Sequence, residues 1–119
     1  MDLTAVAMIA SGIVVGLAAA FTGLGGGFLV VPLLLFMGLT AQKSVGTSFL
    51  AILIIAVSAL FAHDKLGHVD YKYGFLIGLG GIVGAQIGAR LLTEVSPDLF
   101  KKIFAVTLIG LAIYLLVKK

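Results

Sequence analysis

Cysteine is absent from the 119 residues, which excludes disulfides, thiolate metal sites and thiol redox chemistry within the chain. Charge is scarce as well: Asp, Glu, Lys and Arg fill 11% of positions, where a soluble domain carries about 25%. Apolar residues take their place at 61% of the chain, and the few charges fall in clusters separated by long uncharged runs. Water is therefore not the main solvent, and the clusters mark membrane edges. Eight Lys and Arg stand against five Asp and Glu, spread along the chain rather than gathered in a basic arm, which argues against nucleic-acid binding. No Lys or Arg precedes the first apolar run, so that run reads as a retained helix rather than a secretory signal. The acidic residues Asp2, Asp64, Asp70, Glu94 and Asp98 all fall near predicted helix ends. No carboxylate is left in the membrane interior as an obvious proton carrier.

A spanning helix needs about 20 apolar residues at about 1.5 Å each to cross roughly 30 Å of hydrocarbon. Residues 3–22, 41–62, 71–92 and 99–117 meet that length, with Tyr71 and Tyr73 suited to an interfacial belt. Residues 28–37 are apolar but too short to span, and they follow the run Gly23, Leu24, Gly25, Gly26, Gly27. Gly38 and Thr40 read as a helix stop and a new N-cap, and Ser96 with Pro97 as the opening of the last helix. The expectation is an all-α integral membrane protein, one domain over residues 1–119, with four spanning helices plus a half-helix after a Gly-rich break. Lys43, Arg90, Lys101 and Lys102 fall on one predicted side and Lys65, Lys72, Lys118 and Lys119 on the other. That balance sets no orientation; it fits a protein that inserts both ways and pairs antiparallel, or a charge count too small to judge.

Lipid offers no partners for free backbone groups, so a glycine break at membrane depth must be buried in protein or line a wet cavity. The break frees N–H groups and the next segment adds its positive dipole end, which makes an anion the natural guest. The plainer alternative is a tight surface turn, which needs one or two glycines rather than four. Gln42, Lys43, Ser44, Gly46, Thr47 and Ser48 form the densest polar set inside an otherwise apolar region, able to replace part of an anion's hydration shell. Lys43 at a helix end reads more simply as a side chain that snorkels to the interface. Gln86 and Arg90 share a helix face four residues apart; Arg90 either turns inward to an anion or reaches headgroups or Glu94. Gly80, Gly84 and Gly88, and Gly12 with Gly16, read as packing faces, the former a candidate dimer seam. Pro32 supports a segment break or a kink. His63, Asp64, His68 and Asp70 read as a solvated loop rather than a metal site. No nucleophile with a base, carboxylate pair, metal or cofactor constellation occurs at workable spacing, which argues against enzymatic activity.

The run from Gly23 through Gly27 to Pro32, followed by Gly46, Thr47 and Ser48 and by the stretch from Gly84 to Ala89, resembles the TauE/SafE family of sulfite exporters over essentially the whole chain. The resemblance implies a membrane permease of small, often sulfur-containing anions such as sulfite, thiosulfate or organosulfonates. It implies a bacterial or archaeal inner membrane and no cofactor. Members usually have two homologous halves, so this chain corresponds to one repeat of a two-repeat fold, and two chains would assemble into one transport unit, a homodimer that is antiparallel if the halves are related by inversion. Carried onto this sequence, the substrate-binding positions are Gly25, Gly26, Gly27, Pro32, Gly46, Thr47 and Ser48.

Overall fold

A computed structural model describes residues 2–118, and among these every regular element is a helix: α1 Leu3–Thr22, α2 Gly27–Phe36, α3 Ala41–Lys65, α4 Tyr71–Leu92 and α5 Pro97–Val117. Four of them are long and apolar enough to cross a membrane, and α2, at 10 residues, is not. The expected four spans and half-helix are thus the observed elements. Boundaries differ by one to three residues: α2 lies one residue earlier at both ends, α5 begins two residues earlier at Pro97, and α3 continues three residues past Ala62, so His63 is helical rather than part of the following loop.

Short polar side chains start the helices where local chemistry calls for them. Asp2 accepts from the Ala5 N–H at 2.8 Å, Thr40 from Lys43 at 3.2 Å, Asp70 from Tyr73 at 3.1 Å and Ser96 from Leu99 at 3.2 Å. Each satisfies one of the donors that a helix start leaves open. Two of the stops share one motif. After α2, the Gly38 N–H donates to Leu35 O at 3.0 Å and Leu39 N–H to Leu34 O at 3.1 Å. After α3, Gly67 donates to Asp64 O at 3.0 Å and His68 to His63 O at 3.0 Å. These are Schellman stops, with Gly38 at φ +98° and Gly67 at φ +74° in the left-handed region. Such a stop folds the residue after the glycine back onto the one five positions earlier. It brings Leu39 to Leu34 in one case and His68 to His63 in the other.

The helices form two compact units that divide between Gly74 and Phe75, inside α4. In the first, α2 and α3 make an antiparallel hairpin around the Gly38 stop, and α1 lies parallel to α3. The parallel sense follows from paired levels: Val15 and Ile55 both flank Gly26, and further along both helices Ala20 meets His63. Chain that leaves the end of α1 therefore dips back through residues 23–26 before α2 starts, level with Val15 and Ala19. Loop and half-helix together return the chain to the level where α3 begins. Val15, Val30 and Leu34 form the core, with Leu29, Leu39 and Ile55 packed on it. In the second unit, the rest of α4 and α5 join through the turn ending at Ser96, and neither helix has a buried residue. Long apolar side chains such as Ile77, 74% exposed, suit hydrocarbon as a solvent and not water.

Gly26 has φ +85°, and a Cβ there would stand 3.1 Å from Val15 Cγ1 and 3.5 Å from Ala19 Cβ. Gly46 on α3 has open space around it. Gly26→Ala is expected to destabilise the first unit by about 1–3 kcal/mol through left-handed strain and crowding, while Gly46→Ala stabilises α3 by about 0.5–1 kcal/mol. Thermal unfolding of the two variants in the same detergent checks both signs.

Candidate functional site

The site is built from the way α1 ends and α2 begins. Gly23 N–H caps α1 by donating to Ala19 O at 2.7 Å, and Leu24 N–H reaches Thr22 Oγ1 at 3.3 Å. Leu29 and Val30 donate to Gly26 O at 3.0 and 2.9 Å and so open α2. Between these two sets, the N–H groups of Gly25, Gly26, Gly27 and Phe28 meet no acceptor among the described residues. Four consecutive donors, added to the positive end of α2, form a concentrated anion-attracting element. No negatively charged side chain lies on α1 or α2 to occupy it.

Gly23 and Gly25 also line a cavity of about 200 Å³, together with Ala19, Ala20, Ile55, Ala56, Ala59 and His63. Its walls are small and apolar apart from backbone and one imidazole. That imidazole is held at both nitrogens: Nε2 lies 3.0 Å from Ala20 O, and Nδ1 lies 3.1 Å from His68 Nδ1. Beside it, the Tyr71 hydroxyl donates to the Asp64 carboxylate. Composition alone placed His63 and His68 in a solvated loop. The missed signal was the glycine at 67, because a Schellman stop with histidine on both sides of it sets the two rings together.

Gly25, Gly26 and Gly27 gather at the break, against Ile52, Ile55, Val15 and Ala19. The other sequence-selected positions sit further down the hairpin. With Gly27 beside Ile52, the antiparallel register sets Ser48 level with Val31, and Ser44 one turn beyond. Ser48, 2% exposed, donates to Val45 O at 2.6 Å. Ser44 is fully buried, and its Oγ has no partner among the described residues. Gly46, Thr47, Lys43 and Pro32 are exposed, and Gln42 is half-buried. Pro32 stands inside α2 without ending it, so the break lies wholly before it. Gln86 and Arg90 are exposed on the part of α4 that belongs to the second unit. Among the sequence-selected positions, two polar features stand out in the first unit: the donor cluster at the break, and the buried hydroxyl of Ser44.

An unpaired buried hydroxyl costs about 1–3 kcal/mol in desolvation, whereas a made hydrogen bond contributes about 1 kcal/mol. Ser44→Ala is therefore expected to leave thermal stability unchanged or raised, and Ser48→Ala to lower it by about 1 kcal/mol. Paired melting curves of the two variants decide this, and a lower melting temperature for Ser44→Ala would show that its hydroxyl has a protein partner.

The family model described as "Sulfite exporter TauE/SafE" matches residues 7–119. A probable membrane transporter protein of Bacillus subtilis is 31% identical over 121 residues, covering 95% of this chain and 44% of that protein. One of Methanocaldococcus jannaschii is 31% identical over 115 residues, covering 91% and 43%, and one of Haemophilus influenzae is 35% identical over 105 residues, covering 86% and 39%. The chain thus spans about two-fifths of the length of these relatives. No solved structure matches.

Proposed function

The chain belongs to the TauE/SafE sulfite exporter family, and from that premise we propose that it is half of a transport unit that carries a small, sulfur-containing anion across a cell membrane by alternating access. It is a multi-pass membrane protein of a transporter family. The observation that supports an anionic cargo is the run of four N–H groups from Gly25 to Phe28 without acceptors, at a break that has no reason to stay open in lipid unless something fills it. Sulfite, thiosulfate and alkanesulfonates each present several oxygens to such donors, and backbone donors bind without a full positive charge, so the anion can also leave. Ser44 supplies a second, buried hydroxyl on the hairpin that carries the break.

Relatives of more than twice this length supply the argument for assembly. Two copies of this repeat would recreate the length of those proteins, and the near-even split of Lys and Arg between sides fits a pair inserted in opposite senses. A second reading is a non-transporting subunit that packs on a partner through α4. It is favoured by Gly80, Gly84 and Gly88, where an added Cβ would meet nothing within 4 Å.

The two readings part on one experiment. Ligand that binds only the folded state raises apparent stability by mass action. Wild-type protein in detergent is expected to show a raised melting temperature with thiosulfate, sulfite or a sulfonate, and none with chloride. Gly27→Ala should abolish that shift, because its methyl lands beside the free donors and otherwise meets only the flexible Ile52 Cδ1 at 3.3 Å. A flat response to every anion, together with loss of assembly in Gly84→Leu, would favour the subunit reading.

A further inference from the structure

The cavity at the glycine break has one titratable side chain on its wall, His63, and both of its nitrogens are engaged. In the neutral pair, His63 Nε2–H donates to Ala20 O, and His63 Nδ1 accepts from His68 Nδ1–H. A single added proton fits the same geometry. His63 becomes an imidazolium that donates from Nε2 to Ala20 O and from Nδ1 to His68 Nδ1, while His68 carries its own proton on Nε2. No hydrogen bond is lost. A second proton would set two N–H groups against each other across 3.1 Å, so the pair holds one proton and resists two.

We propose that the His63–His68 pair is the proton-binding half of the anion site, so that one proton and one anion occupy the cavity together. This rests on the reading of residues 25–28 as an anion site. Ala20 O belongs to the last turn of α1, where the helix dipole favours a cation, and His63 lines the same cavity as Gly25, the first of the four donor residues at the break. The other charged or titratable groups near the pair are Asp64 and Lys65 on α3, Asp70 in the following loop, and Tyr71, Lys72 and Tyr73 at the start of α4. Helices α1 and α2 contribute none. Asp64, next to His63 in the chain, accepts from the Tyr71 hydroxyl. Imidazole is the side-chain class that changes charge near neutral pH, and no carboxylate serves the membrane interior in its place. Among the described residues no group of three metal-ligating side chains gathers here, which favours a proton over a metal ion.

Thiosulfate keeps its charge across the relevant range and is the probe. Its affinity for the purified protein is expected to rise about three- to tenfold between about pH 8 and about pH 6, with uptake of up to about one proton per anion in weakly buffered solution. His63→Gln keeps an N–H donor for Ala20 O but cannot take the proton, so whatever its affinity at the higher pH it should gain nothing at the lower. His68→Phe removes the acceptor for the added proton and should shrink the gain. Thiosulfate binding that is equally tight at both pH values, with no proton uptake, would overturn the proton site and leave the anion site standing. A pH gain that persists in His63→Gln would also overturn it. No binding at any pH would overturn both.

Discussion

Hydrocarbon cannot hydrogen-bond a peptide, so a chain that stops being helical inside a membrane must find other partners for its backbone groups. In this protein helix gives way to loop between α1 and α2. Thr22 and Ala19 satisfy the first two donors after the helix, and Gly26 O satisfies the first two of the next turn. The four N–H groups in between are left over. Much of the first unit follows from holding that stretch in place. A Cβ at Gly26 would crowd Val15 Cγ1 at 3.1 Å and touch Ala19. The short α2 brings Val30 and Leu34 onto Val15 and packs against α3. The parallel course of α1 and α3 leaves a small, open-sided cavity beside the loop.

The cavity explains why the surrounding residues are small. Ala19, Ala20, Ala56 and Ala59 line it with little volume, so space remains beside the glycines. His63 reaches across from α3 to the end of α1 and ties the two helices through the Ala20 carbonyl. One contact therefore both caps a helix end and places a titratable ring on the cavity wall. The second unit is organised differently. None of its described residues is buried, Phe100, Phe104 and Leu108 are half-buried, and an added Cβ at its glycines on α4 would meet nothing within 4 Å. Such a surface suits lipid, or the packing of further helices.

Helix positions were legible because they depend on local chemistry: Thr40 and Ser96 as caps, Gly38 as a stop, and apolar length for the spans. The glycine run was legible as a break because no ordinary helix or turn needs four. The fold-back of α2 was not, since a ten-residue apolar helix reads alike whether it returns or continues, and only packing of Gly26 against Val15 and Ile55 decides the matter. Gly46, Thr47 and Ser48 stand together in sequence, yet a helix turns them to different faces and buries only Ser48. Ser44, one turn earlier, shares that buried face. The histidines were passed over because polar residues near a helix end usually face water. A Schellman stop overrides that expectation by geometry rather than composition.

The central claim is that the N–H groups of Gly25, Gly26, Gly27 and Phe28 bind an anion. Isotope-labelled protein in detergent or nanodiscs reports on these amides individually by nuclear magnetic resonance. Titration with thiosulfate is expected to shift the four signals downfield in a saturable way, while Gly80, Gly84 and Gly88 stay fixed. Unmoved signals at residues 25–28 under thiosulfate concentrations that saturate binding would contradict the account.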